Sequence, residues 1–376
     1  MKLLYICGFD LQSGVAAAKR VILVGKSFRS FSHEVSFLDT CYLKRDDYVL
    51  EGFHVTSVKR EKNVIGQIRT KLGILDIEKK IRPDIDLIIA YNFPGIPLLH
   101  LHRYCKRKKI SIIADVADWP IPEGNIIHKL IMQIDINTRM RKAHHQMDGL
   151  IVISDYLGRY YCNQKSVVVP PMVDVENTLK SACFHPYSKN YLLLTTINTA
   201  GPEKEALNIL IGMLSRIKDS LDRKIELNVI GMTQEQYESR YHELVPENMH
   251  NEIKFCGRLS YNDTIKMISD SAYFIFFRKH SQVTDAGFPT KFSEALSCGT
   301  PVLTTRTSDL EKYLVTGNNG YFIDSDSDLL SALMMSQESI ERMKKFCSQY
   351  KAFDYHMYAQ KLNEFIENVV GGKKYK

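Results

Sequence analysis

Short apolar runs alternate along the chain with longer stretches whose apolar positions recur at helical spacing. Residues 2–6 form a strand-like run, followed by the loop Gly8-Phe-Asp-Leu-Gln-Ser-Gly14 and by Val15-Ala-Ala-Ala-Lys-Arg-Val-Ile-Leu23, a good helix former. That order predicts the opening of a βα unit. Further strands are predicted at 35–38, 54–58, 87–90, 110–114, 149–154 and 167–169, with helical stretches between several of them. After Pro170-Pro-Met-Val-Asp174 a second series starts at 191–197 and continues at 226–230, 253–255, 273–277, 302–305 and 321–323. Alternation of this kind predicts an α/β fold with two Rossmann-like, doubly wound parallel sheets. A chain of 376 residues is long for one core and suits two domains. They are predicted at 1–175 and 190–354, with an amphipathic terminal helix in 355–376.

Candidate chemistry concentrates in Gly287-Phe-Pro-Thr-Lys-Phe-Ser-Glu-Ala-Leu-Ser-Cys-Gly-Thr-Pro-Val302. Pro289 and Thr290 suit a helix entry, Phe292, Ala295 and Leu296 share one helical face, and Gly299 stops the helix before a strand. The first turn offers unpaired N–H groups, a partial positive charge and the Lys291 ammonium to a phosphate. Glu294, within the same turn, is placed to accept hydrogen bonds from sugar hydroxyls. A diphosphate joined to a sugar fits this pairing better than a bare phosphate, which a carboxylate would repel. Ser13-Gly14 ends the first strand-loop, where a backbone without a side chain allows close approach of a phosphate, although the pattern is not a complete Gly-x-Gly-x-x-Gly. Asp115, Asp118 and the chain's single tryptophan, Trp119, follow the strand at 110–114, at the edge where parallel sheets bind ligands. They suggest an acceptor site, with a helix or turn cap as the alternative for Asp115 and an N-cap as the better reading of Ser154.

The 287–302 segment resembles the donor-site signature of the retaining GT-B glycosyltransferases, the group with many bacterial capsule and lipopolysaccharide enzymes, in a variant with Gly-Phe-Pro-Thr-Lys. Glu294 matches the second acid of that signature, whereas Ala286, beside Asp285, stands where the first acid belongs. The resemblance implies a GT-B fold whose terminal helix returns to the first domain. It also implies a metal-independent, cofactor-free transfer of a hexose from a nucleoside-diphosphate sugar to a glycan or lipid-linked acceptor. The implied catalytic residues are Asp118, Lys204, Arg278 and Lys291. Lys204 matches a phosphate-binding lysine, and Arg278 substitutes for an arginine whose place is taken by Asn198 and Thr199. The implied donor-binding set is Ser13, Gly14, Arg258, Leu259, Pro289, Thr290, Phe292 and Glu294, with Asp115 and Trp119 toward the acceptor. A non-hydrolysing nucleotide-sugar epimerase and a catalytically silent nucleotide-binding subunit are the rival readings.

Charge adds one asymmetry. Residues 1–170 hold 26 Lys and Arg against 17 Asp and Glu, while the remainder holds 24 against 26, so the basic excess sits in the first half. The runs Lys106-Arg-Lys-Lys109 and Arg139-Met-Arg-Lys142 suit an anionic partner such as a membrane surface. Nucleic acid is not expected, because no recognition motif accompanies the charge. No stretch reaches the roughly 18 apolar residues of a membrane span, and the first residues do not form a signal peptide. The expected location is cytoplasmic, with peripheral contact to the inner face of the cell membrane open. The eight cysteines are scattered without a metal-binding spacing and suit free thiols.

Overall fold

The computed structural model describes residues 1–41, 45–59, 76–181, 191–199 and 201–374. The 190 boundary, Cys183, Ala200 and the last two residues lie outside them. Two compact units result: Met1–Met172 together with Tyr355–Lys376, and Val173–Asp354.

The first unit is built on an eight-stranded sheet of β1 (Lys2–Cys7), β2 (Glu34–Cys41), β3 (Tyr48–Leu50), β4 (Phe53–Lys59), β5 (Leu87–Tyr91), β6 (Ser111–Val116), β7 (Gly149–Val152) and β8 (Ser166–Val168). Their spatial order is β3-β4-β2-β1-β5-β6-β7-β8, and all pairs are parallel except β3 with β4. Strands β5, β6 and β7 are buried at every residue, as expected for a parallel sheet covered on both faces. The final helix, His356–Lys374, belongs to this unit and buries Leu362, Ile366 and Val369. It is tied there by a 2.6 Å hydrogen bond between His33 Nε2 and Asn363 Oδ1 and by Lys361 Nζ donating to the Val168 carbonyl at 3.1 Å. Gly149 permits that docking: a Cβ there would lie 2.8 Å from the Phe365 ring and 2.9 Å from Val369.

The second unit carries β9 (Tyr191–Ile197), β10 (Lys224–Ile230), β11 (Ile253–Gly257), β12 (Tyr273–Phe276), β13 (Val302–Thr304) and β14 (Gly320–Phe322), all parallel, in the order β11-β10-β9-β12-β13-β14. Its core is made by strand residues such as Leu194, Leu227 and Ile275 packed with Leu207, Leu210, Ile211 and Leu214 of the helix Leu207–Ile217. The i, i+3, i+4, i+7 spacing of those leucine and isoleucine positions aims one stripe of the helix at the sheet.

Three local differences from the sequence-based expectation matter. Strand β6 runs through Asp115 rather than ending before it, because the Tyr91↔Asp115 register continues the ladder. The short antiparallel β3 adds an edge strand that the sequence pattern does not announce. Ala286 closes a short helix, Gln282–Ala286, capped by reciprocal bonds between Ser281 and Thr284.

Candidate functional site

In a doubly wound sheet, ligands bind beyond the C-terminal ends of the strands where the strand order reverses. In the second unit that point lies between β9 and β12. The chain leaves β9 at Asn198, turns at Gly201 with φ +76°, and returns so that the Ala206 amide donates to the Phe277 carbonyl just past β12. This turn carries Lys204 and Glu205 to the sheet edge. Arg278 follows β12 directly and is clasped to the end of β13: its amide donates to Thr305 Oγ1 at 2.9 Å, and that hydroxyl donates back to the Arg278 carbonyl at 2.7 Å.

The helix Thr290–Ser297 brings in Lys291. Its Nζ donates to the Ile197 carbonyl at the end of β9 (2.8 Å) and to Glu205 Oε2 (2.5 Å), and it stands 4.8 Å above the Phe276 ring. Glu205 Oε1 lies 3.5 Å from Arg278 Nε, which also donates to the Lys204 carbonyl. One carboxylate thus stands between two cations, all three side chains almost wholly buried. Burial lowers the Lys291 pKa, and Glu205 acts against that shift by favouring the ammonium. Burial likewise lowers Arg278, opposed first by Glu205 and then by the Asp285 charge. Among the described residues Arg278 Nη1 is buried with no hydrogen-bond partner, and so is Asn198 Oδ1 at the head of the same turn. A guanidinium with an unfilled donor leaves a place for one more acceptor.

The helix that supplies Lys291 starts on Pro289, whose side chain makes no cap bond. The Phe292 amide donates to the Pro289 carbonyl at 2.9 Å, and Pro289 offers no side-chain acceptor to the Thr290 and Lys291 amides. Glu294 sits partly buried one turn on. Tyr261, at the start of the helix Tyr261–Asp270, lies in its field: burial first, then the Glu294 charge, raise the tyrosine pKa. Arg258 and Leu259 follow β11 beyond Gly257, which adopts φ +61°.

The predicted residues separate into those the structure gathers and those it does not. Arg278 and Lys291 come together at the β9/β12 edge through Glu205, the Lys204 carbonyl accepts from Arg278, and Pro289 and Thr290 open the helix that carries Lys291. Phe292 is corrected: its ring is fully buried and packs edge-on against Phe288 and Phe353, so it belongs to the core and presents no face to a ligand. Ala286 is also fully buried, and the neighbouring Asp285 is occupied by His280 Nδ1 at 3.0 Å and the Ser308 amide at 3.3 Å. The position of the absent first acid is therefore a packed methyl group. Glu205 is the residue that sequence reasoning misses. In Glu203-Lys-Glu-Ala206 it looks like one member of a solvated charge run, and only the return of the turn to β12 reveals its burial.

In the first unit, the corresponding reversal lies between β1 and β5. Ser13 and Gly14 are exposed past β1, Ser13 in a 3₁₀ turn capped by Asp10 and Gly14 at φ +66°. A Cβ on Gly14 would meet nothing within 4 Å, so the backbone there is open to approach. Asp118 Oδ1 accepts from Asn92 Nδ2 at 3.2 Å, and Trp119 packs edge-on against Tyr160. Asp115 is corrected: it is a fully buried strand residue that neither caps a turn nor faces an acceptor, because Arg20 and Tyr5 take up its carboxylate. Ser154 does cap the helix Asp155–Tyr160, accepting from the Leu157 amide.

Two parallel α/β units of this topology define the GT-B class. Solved structures with that architecture match nearly the full chain. They include Anabaena HepE in complex with UDP (16% identity, TM-score 0.66, covering 98% of this chain and 100% of that one) and the sucrose-phosphate synthase of Thermosynechococcus elongatus (11%, 0.70, 99% of each). The lipopolysaccharide outer core galactosyltransferase WaaB in its apo form is a third (14%, 0.63, 98% and 99%). Residues 185–352 match the family described as Glycosyl transferases group 1. The second unit is thus a glycosyltransferase domain, and the chain is an enzyme of glycosyl transfer. No curated protein sequence matches it.

Proposed function

We propose that the chain transfers a hexose from a nucleoside-diphosphate sugar to a glycan or lipid-linked acceptor, with retention at the anomeric carbon, in the synthesis of a bacterial surface polysaccharide. The observation that carries this reading is the convergence of Lys291, Arg278 and the Thr290–Ser297 helix start on the reversal point of the second sheet, with Arg278 Nη1 unfilled. The donor's diphosphate supplies the missing acceptor. As the anomeric C–O bond breaks, its electron pair passes to the leaving phosphate oxygen, and fixed positive charge stabilises that oxygen most where charge develops. The acceptor hydroxyl attacks from the same face and gives its proton to the leaving phosphate. Lys204 adds to the positive potential, and Glu294 holds hydroxyls of the donor. Among the similar structures, HepE was solved with UDP-glucose and a starch synthase with ADP, so uridine and adenosine donors are both natural first trials.

A thermal-shift screen of the nucleoside diphosphates tests the reading. A ligand at a hundred times its dissociation constant stabilises the chain by about 2.7 kcal/mol. One base is expected to raise the melting temperature well above the others, and no shift with any of them contradicts a diphosphate site.

A further inference from the structure

Thirteen large hydrophobic side chains are exposed among the described residues, and four of them lie on a single helix of the first unit, Ile126–Thr138. Ile126, Ile127, Leu130 and Ile134 are 86, 72, 63 and 54% exposed, whereas the other nine are spread singly from Val15 to Met357. Isolated surface hydrophobics are ordinary, but a contiguous stripe is not. The spacing i, i+1, i+4, i+8 places all four on one side of the helix over roughly 12 Å, at 1.5 Å per residue.

The helix is well anchored, so the exposure is not that of a frayed end. Asn125 caps it by accepting from the His128 amide at 2.9 Å. Asp135 Oδ1 accepts from the Gly95 amide at 2.8 Å, Ile136 is buried, and Arg139 and Met140 of the following turn are buried as well. A Cβ on Gly95 would lie 2.6 Å from the Arg139 amide nitrogen, which shows how closely this end is seated. The helix is thus seated at its C-terminal end, and three of the four stripe residues lie in its N-terminal half.

Charge selects the occupant. Lys129 is exposed on the helix, and Arg141 and Lys142 are exposed in the run Arg139–Ala143 that continues it. The one acid within the helix, Asp135, is engaged by Gly95, and Glu123 lies ahead of its start. The surrounding half of the chain holds the whole basic excess. An apolar stripe on a helix that carries, and continues into, exposed basic side chains is the pattern of an interfacial helix lying in a membrane surface. We propose that Ile126–Thr138 docks the chain on an anionic bilayer, with Ile126, Ile127, Leu130 and Ile134 below the headgroups and Lys129, Arg141 and Lys142 at lipid phosphates. This surface is independent of the donor site, so its test separates from that of the transfer reaction.

The test is co-sedimentation of the full chain with vesicles of phosphatidylcholine alone and of phosphatidylcholine mixed with phosphatidylglycerol. Wild type is expected to pellet with the mixed vesicles and to be released by salt. The triple variant Ile126→Ser, Ile127→Ser, Leu130→Ser is expected to lose roughly tenfold or more in partitioning at an unchanged melting temperature, since these side chains are exposed. The pair Arg141→Gln, Lys142→Gln, which leaves the stripe intact, is expected to weaken binding and flatten its salt dependence. The proposal is overturned by wild type remaining in the supernatant with both vesicles or by undiminished binding of both variants. It is equally overturned by light scattering that shows a dimer which the triple variant dissociates, because a second copy would then cover the stripe.

Discussion

The two sheets reverse their strand order in the same way, yet the buried charges near the two reversal points are arranged oppositely. In the first unit Arg20 and Asp115 form a saturated pair. Arg20 Nε and Nη2 and the Tyr5 hydroxyl donate to the carboxylate, while Arg20 Nη1 donates to the Val169 and Pro170 carbonyls. In the second unit two cations share one carboxylate, and a guanidinium nitrogen has no partner among the described residues. A matched pair has no capacity left for a ligand and serves the fold. An unmatched cluster holds net positive charge in a low-dielectric place, which is what an anionic leaving group requires.

The largest effect is expected in the first unit: Arg20→Met leaves Asp115 buried and uncompensated, and should cost about 3–5 kcal/mol of stability in denaturant unfolding. A loss no larger than that of a surface substitution would mean the pair is not structural. Next, Lys291→Ala and Glu294→Ala should each lower transfer by more than tenfold, above about 1.4 kcal/mol in activation free energy, in folded protein. Wild-type turnover in both would remove the site assignment.

Glu205→Gln sharpens the contrast with a smaller effect of mixed sign. Without the carboxylate, Lys291 and Arg278 repel each other, so the unliganded protein should melt lower. The same change removes a like charge from beside the diphosphate and should tighten nucleoside-diphosphate binding by about fivefold, roughly 1 kcal/mol. Titration calorimetry reads the second effect independently of the first. Weaker binding in the variant would make Glu205 a ligand of the donor rather than its competitor.

Much of this is legible in the sequence because it depends on local pattern. The apolar runs locate most of the strands, and Pro289 with Gly299 brackets the helix that carries Lys291 and Glu294. Residues whose meaning depends on distant partners mislead. Asp115 terminates an apolar run and so looks like a strand end, but Arg20, ninety-five positions away, keeps it inside the sheet. Phe292 shares a helix turn with polar neighbours that suit a ligand, although its ring points into the core beside Phe353. Glu205 is hidden by the charged residues around it. The stripe of Ile126–Thr138 is hidden by the opposite cause, since an apolar helical pattern is ordinarily a sign of burial.

On the proposed function, the unmatched positive cluster of the second unit stabilises a departing nucleoside diphosphate. This role is tested most directly by measuring nucleoside diphosphate released from a nucleotide sugar in the presence of an acceptor, for wild type, Lys291→Ala and Arg278→Ala. Wild type is expected to release it and both variants to lose more than tenfold, with the melting temperature of each measured alongside. Equal release by folded wild type and both folded variants would contradict that role.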